Sequence, residues 1–227
     1  MMPYDWQLSL ILEFWPAFLN GLILTLKLTV VSIVVGTLIG YMLGVVLSLK
    51  VAYLKPVKIL INLYNALFGW LPLLVLMVWM YYFLPMLFDI KFDGLTVAYI
   101  ALSLNLSAFI ADVIRGAIEE IPRSYIDAGK AIGMPFPLIL RRIIFPEIVR
   151  ISLPSMVALY INQFKWTTLA SVLGVSELLH TADTIMIQTY RSLEAYTAIA
   201  LIYLVVVGFG NLVYMRMQRM EFFRQRA

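Results

Sequence analysis

The chain has 227 residues, 63% of them hydrophobic and 13% charged, with a mean hydropathy of +0.92. Charged residues stand at about half the ~25% usual in soluble domains, which excludes an ordinary water-soluble globular protein and predicts an integral membrane protein. The net charge of +4 comes from basic residues beside apolar runs, a topology signal rather than a nucleic-acid surface, and the absence of cysteine excludes disulfides, thiolate zinc sites and thiol nucleophiles.

The N-terminus opens Met-Met-Pro-Tyr-Asp-Trp without a basic region, so no cleavable signal peptide is expected. Residues 1–15 carry Trp6 and Trp15 among alternating polar positions and are expected along the outer membrane interface, where aromatic rings sit well. Crossing ~30 Å of hydrocarbon takes ~20 helical residues. Five segments meet that length: 18–49, 57–83, 95–114, 151–172 and 196–214. The expected fold is therefore all-α, with five transmembrane helices forming one membrane domain over 1–227, and no internal repeat is apparent. Thirteen basic residues, from Lys50 through Arg141, Arg142 and Arg150 to Arg226, fall on one side of these spans, against Lys91 and Arg191 on the other. The richer side is cytoplasmic by the positive-inside rule, so the N-terminus is expected outside and the C-terminus inside.

In the first span Gly36, Gly40 and Gly44 recur every fourth residue, on the face that also carries Thr25, Thr29 and Ser32. Small residues at that spacing let two helix backbones approach closely, and the neighbour is open between this chain and another. Lys27, in the outer half of the span, either snorkels outward or lines a path. Pro72 is expected to break the second span and Pro85 to end it. In the third span Ser103, Asn105 and Ser107 are expected to hydrogen-bond between helices, and Asp112 and Arg115 to form a surface ion pair.

Between the third and fourth spans, 115–150 forms a basic cytoplasmic loop punctuated by glycine and proline. Ser124 is a candidate cap for a helix of about two turns, with Asp127 in its first turn, Gly133 at its end and Pro135 beyond. Pro135, Pro137, Pro146 and Pro154 stiffen the exit. The loop reads either as a docking element or as an ordinary amphipathic surface segment. In the fourth span Lys165 lies eleven residues after Pro154, near mid-bilayer, where a cation costs about 2.5–3.5 kcal/mol even on a lenient scale. Asn162, Gln163, Thr167 and Thr168 accompany it. Lys165 either faces a substrate path or pairs with helix-end carbonyls. The single histidine, His180, stands near Ser176 and Glu177 in an outer loop and reads as solvent-facing rather than catalytic. No carboxylate pair or metal cluster lies at membrane depth. The tail 215–227, with Phe222 and Phe223 among basic residues, is expected to anchor the last helix at the inner surface.

The loop residues Asp127-Ala128-Gly129, Gly133 three residues on, Ile143 nine further, then Phe145-Pro146, follow the spacing of the Glu-Ala-Ala loop of ABC importer permeases. Asp for Glu, Gly129 for the second Ala and Phe145 for Leu are departures, and Gly129 is expected to weaken the helix by up to ~1 kcal/mol relative to Ala. Gly21 to Thr29, Ala111 to Ile118 with Ile121-Pro122-Arg123, and Lys165 to Val172 likewise resemble the polar amino-acid permease group. Trp166 stands where that group has an acid beside the lysine, and Gly69 where it has an arginine. Tyr4-Asp5-Trp6 and the run Pro72-Leu73-Leu74-Val75-Leu76 resemble permeases for acidic amino acids.

The resemblance implies an ATP-driven importer for polar amino acids in a bacterial inner membrane, working by alternating access, with an acidic or related amino acid as substrate. It also implies a second permease subunit, identical or not, a dimer of ABC ATPase subunits carrying ATP and Mg, and an extracytoplasmic solute-binding protein. Asp127, Ala128, Gly129, Gly133, Ile143 and Pro146 would form the ATPase-coupling loop, and Lys165, Thr167, Thr168, Asn162 and Lys27 the substrate path. No Gly-x-x-x-x-Gly-Lys-Ser/Thr phosphate loop occurs, so ATP hydrolysis is expected on another subunit; no cofactor, metal or catalytic residue is expected in this chain. The alternatives are an ATP-independent transporter or channel subunit, which usually brings internal repeats and intramembrane acids, and an intramembrane enzyme.

Overall fold

A computed structural model describes residues 5–7, 9–89 and 91–219, and the expected tail anchor lies largely outside them. All regular structure among these residues is helical, as lipid demands of a chain that must satisfy its backbone internally. The α-helices are α1 (Ser9–Glu13), α2 (Trp15–Ser48), α3 (Lys55–Asn65), α4 (Leu73–Phe88), α5 (Gly94–Glu120), α6 (Arg123–Ala131), α7 (Phe136–Ile139), α8 (Phe145–Trp166), α9 (Leu178–Thr189) and α10 (Ser192–Arg219). Four helical runs, Trp15–Ser48, Gly94–Glu120, Phe136–Leu173 and Ser192–Arg219, are long and apolar enough to cross a membrane; counting the broken α3–α4 pair makes five.

Several boundaries differ from the sequence reading: α5 runs on to Glu120 and α10 covers Ser192–Arg219. Pro85 lies inside α4, which continues to Phe88, and the fourth run is already helical from Phe136. A π-turn over Ala66–Trp70 precedes the break at Pro72, and a second over Leu140–Ile144 precedes Pro146. Each ends two residues before a proline, whose missing N–H and bulky ring disrupt the preceding hydrogen-bond ladder.

The chain separates into two compact units. Met1–Ser32, Pro72–Leu102 and Ile161–Asn211 form the first; Ile33–Leu71, Ser103–Tyr160 and Leu212–Ala227 form the second. In the first, Phe18, Leu178, Ala182, Ile185, Ala195, Ala198 and Ile199 make the core. Thr25, Thr29 and Ser32 are buried there, and each hydroxyl donates to a carbonyl of its own helix, Gly21, Thr25 and Leu28 respectively. The buried Gln163 amide ties α8 to α2 and α5, donating to Ser32 Oγ at 3.0 Å and to the Leu102 carbonyl at 3.1 Å.

In the second unit Leu106, Ile110, Ile114, Ile139, Ile144 and Ile148 form the core. The glycine stripe of α2 faces α5 of the same chain: ideal Cβ atoms on Gly36, Gly40 and Gly44 would lie 2.9, 2.5 and 2.6 Å from the carbonyl oxygens of Ser103, Ser107 and Ala111. Asp112 does not pair with Arg115. It accepts from Asn65 Nδ2 at 3.3 Å, and Arg115 instead bonds Glu119 at 3.0 Å, a surface contact worth little. Local spacing allowed both partners, and the neighbouring α3 decided between them.

Ser107 Oγ meets the Tyr64 hydroxyl at 2.6 Å, and Asn105 Nδ2 donates to the Phe68 carbonyl at 2.6 Å. Pro72 has no N–H to offer that carbonyl, so Asn105 supplies the donor from another helix. Asn105→Leu strands a buried acceptor, and we expect a loss of about 1–3 kcal/mol, read as a lower thermal midpoint of the detergent-purified chain. An unchanged midpoint contradicts this role.

Candidate functional site

The residues singled out from the sequence lie in two places, one in each unit. In the second unit α6 starts after Pro122, not at Ser124, and no side chain caps it; Asp127 is exposed in its second turn. Proline ahead of the first turn presets the chain direction without needing a capping hydroxyl. The helix stops as expected. Gly133 takes φ +78°, its N–H donates to the Lys130 carbonyl at 2.9 Å, and the Met134 N–H donates to the Gly129 carbonyl at 3.0 Å. This left-handed stop favours glycine and satisfies the last carbonyls.

Gly129 does not act as a weak point. It is buried, and a Cβ there would lie 3.0 Å from Ile139 Cγ1 and 3.1 Å from Ile143 Cδ1. The missing side chain lets α6 sit directly on α7 and the π-turn, a packing role that opposes its intrinsic propensity cost. Ile143 is thus half-buried beneath α6, and Pro146 is exposed in the first turn of α8. Tyr125 and Ala128 on α6 and Ile132 at its C-cap stand exposed beside this buried face, with Ile132 77% accessible. A short helix braced on its Gly129 face, with exposed apolar side chains at the rim of that face and polar ones beyond, is suited to receive a partner.

In the first unit the last turn of α8 tightens into a 3₁₀ segment, Thr167–Leu173. Thr167 and Thr168 hydroxyls donate to the carbonyls of Phe164 (2.7 Å) and Lys165 (2.8 Å), which supports the tighter winding. Lys165 and Thr168 line a groove of about 470 Å³ with Ala200, Tyr203, Leu204 and Val207. Asn162 and Lys27 are exposed but are not among its lining residues, and Thr167 is fully buried. Neither Lys165 nor Lys27 forms an ion pair among the described residues. Tyr203 was missed from sequence, although a lone phenol within the apolar run 201–207 was a visible signal. Among the described residues no cluster of three or more histidines and carboxylates could hold a metal ion.

Residues 36–225 match the family described as binding-protein-dependent transport system inner membrane component. The chain belongs to that family. Its relatives include the probable amino-acid ABC transporter permease protein PatM of Vibrio harveyi, 38% identical over 148 residues, spanning 64% of this chain and 66% of PatM. The arginine transport system permease protein ArtQ of Bacillus subtilis (strain 168) is 31% identical over 193 residues, 85% of this chain and 86% of ArtQ. The crystal structure of an amino acid ABC transporter with histidines superposes with a TM-score of 0.84 at 29% identity, covering 95% of this chain and 99% of that one. An inward-facing MetNI methionine ABC transporter shares the fold, with a TM-score of 0.72 at 24% identity over 91% of this chain and 99% of that one. The resemblance read from the Asp127–Pro146 spacing and the segment after Lys165 is borne out. This family supplies the membrane component of its transporters, and the several apolar helices of the present chain agree with a multi-pass membrane protein.

Proposed function

We propose that this permease is the membrane subunit of an ATP-driven, binding-protein-dependent importer of a polar amino acid in a bacterial inner membrane. Two permease subunits enclose the path, a dimer of separate ATPase subunits grips α6 from the cytoplasm, and a solute-binding protein delivers substrate outside. The N-terminus then lies outside and the C-terminus inside. ATP and Mg belong to the ATPase, and this chain carries out no covalent chemistry.

The observation that carries the reading is the form of α6: Gly129 seats it against Ile139 and Ile143, while Tyr125, Ala128 and Ile132 face outward. A braced helix passes displacement to α8 through α7 and the π-turn instead of absorbing it. Such displacement by ATPase closure drives alternating access. Lys165, with Thr168 and Tyr203 in the groove, presents an ammonium without an ion-pair partner, and Asn162 and Lys27 add polar character to the exposed faces of α8 and α2. With Trp166 in place of a neighbouring acid, that charge favours a substrate rich in carboxylate, an acidic or related amino acid.

The test is uptake into proteoliposomes holding this permease, its ATPase and its binding protein. Uptake is expected to require ATP, and transport without any ATPase overturns the reading. Lys165→Met, at an exposed position, is expected to fold normally and to lower uptake by about tenfold or more, equivalent to losing about 1.4 kcal/mol of interaction. Uptake close to that of the unaltered chain would remove Lys165 from the path.

A further inference from the structure

Two carboxylates in the first unit are fully buried, and their surroundings differ. Glu194 is answered by charge and hydrogen bonding: Arg191 Nη1 lies 3.7 Å away and the Gln7 N–H donates to its Oε1 at 3.1 Å. Glu177 forms no ion pair among the described residues. It precedes α9, where its Oε1 accepts the His180 N–H at 2.9 Å, while Oε2 is buried without a hydrogen-bond partner. The Tyr203 hydroxyl, brought by α10 within reach of Glu177, Thr25 and Thr167, is also buried and makes no close hydrogen bond among the described residues.

The hydroxyls around this pair are largely committed. Thr25 Oγ1 donates to the Gly21 carbonyl and accepts the Leu178 N–H at 3.1 Å; Thr167 donates to Phe164. From α2, Thr25 Oγ1 meets the Leu178 N–H beside Glu177, and the 3₁₀ segment brings Thr167 near Tyr203. From α10 the facing group is Tyr203, and α9 contributes Asp183, whose negative charge opposes ionisation of Glu177.

We infer that Glu177 is a proton-binding site: its carboxyl is neutral inside the fold, its second oxygen and the Tyr203 hydroxyl complete one another's hydrogen bonding, and ionisation loosens the joint of α9 with α2 and α10. A carboxylate buried without a cation, one oxygen held by the His180 N–H and the other without a close donor among the described residues, is costly, and protonation reduces that cost. Burial raises the Glu177 pKa from 4.5 to about 7, against the backbone N–H groups of Leu179, His180 and Leu178, which favour the anion. Gly174 and Ser176 are exposed, so solvent that exchanges the proton lies one residue away. With the orientation proposed above this solvent is external, and the site reads external acidity; only that assignment of side rests on the importer reading.

The sign follows from linkage. The folded chain holds this proton more tightly than the unfolded chain, so the contribution of Glu177 to stability is greatest below pH 4.5, declines as pH rises to about 7, and stays at the lower level above it. The experiment is thermal unfolding of the detergent-purified full chain across this window, with Glu177→Gln, which keeps the size and removes the charge. The unaltered chain is expected to lose several degrees of midpoint on going from acid to neutral pH. Glu177→Gln should largely remove that slope and be the more stable form at neutral pH. His180→Ala, which removes the single histidine of the sequence, should retain the slope. If Glu177→Gln does not fold, infrared difference spectra of the unaltered chain across pH 7 should still show a protonated carboxyl stretch disappearing. Parallel slopes for the unaltered chain and Glu177→Gln, or no such band, overturn the site. Because none of these readings requires transport, a failed importer reading leaves them intact, and their failure leaves the importer reading intact.

Discussion

Replacing Gly40 by valine is expected to prevent accumulation of the folded chain. An ideal Cβ at this position would lie 2.5 Å from the Ser107 carbonyl oxygen and 2.6 Å from Ile110 Cβ, both fixed by the α5 backbone. Neither atom is the free end of a flexible side chain, so α2 and α5 must separate. The neighbouring approaches at Gly36 and Gly44 then open as well, because the three glycines lie along one face. Overpacking a well-filled site costs about 1–3 kcal/mol and sometimes more, and here lost contacts along the stripe add to the clash. Even Gly40→Ala should lower the thermal midpoint clearly. Gly208 in α10 provides the control. No atom outside its own helix lies within 4 Å of its Cβ position, so Gly208→Ala should be neutral or stabilising by about 0.4–1 kcal/mol through helix propensity and the unfolded state. Expression and midpoints in detergent separate the cases. A Gly40→Val chain that accumulates and melts like the unaltered protein would falsify the close approach of α2 and α5.

What could be read from residues alone depended on how local the cause was. Long apolar runs in α2, α5 and α10 gave their spans, because a helix in lipid must satisfy its own backbone wherever it lies. The four-residue glycine period marked a contact face without naming the partner, and α5 supplied that partner. The second span was partly legible. Pro72 marked a break, but the π-turn before it is an ordinary apolar stretch in sequence, and the Asn105 amide that answers the Phe68 carbonyl comes from 37 residues away. The packing role of Gly129 was not legible because helix propensity is local, whereas the side chains it accommodates, Ile139 and Ile143, come from the following helical segment. In sequence Glu177 is only a neighbour of His180 in an outer loop. Its burial is imposed by Thr25 and Tyr203 from distant parts of the chain, and no local pattern carries that information.

Ala128→Arg is expected to abolish transport while leaving the chain folded. Ala128 is exposed on α6 beside Tyr125 and Ile132, so a larger side chain there can extend away from this subunit's core. At a partner interface, however, arginine adds both bulk and a charge that must be desolvated. Central interface positions commonly carry about 2 kcal/mol or more, and a loss of that size lowers partner occupancy by about thirtyfold. The decisive comparison is between assembly and coupling. If arginine blocks docking, the ATPase no longer copurifies. If docking survives elsewhere on the surface, ATP hydrolysis persists while uptake is lost. Gly133→Asp attacks the same element differently, by forcing a side chain into φ +78° at the helix stop. It should displace Ile132 and Met134 and produce the same loss with a modest fall in stability. A matching functional phenotype from two unlike perturbations, one of surface and one of backbone, isolates α6 as the point where force enters. Should both variants retain full ATP-driven uptake, α6 is an ordinary surface helix and the ATPase acts on the permease elsewhere.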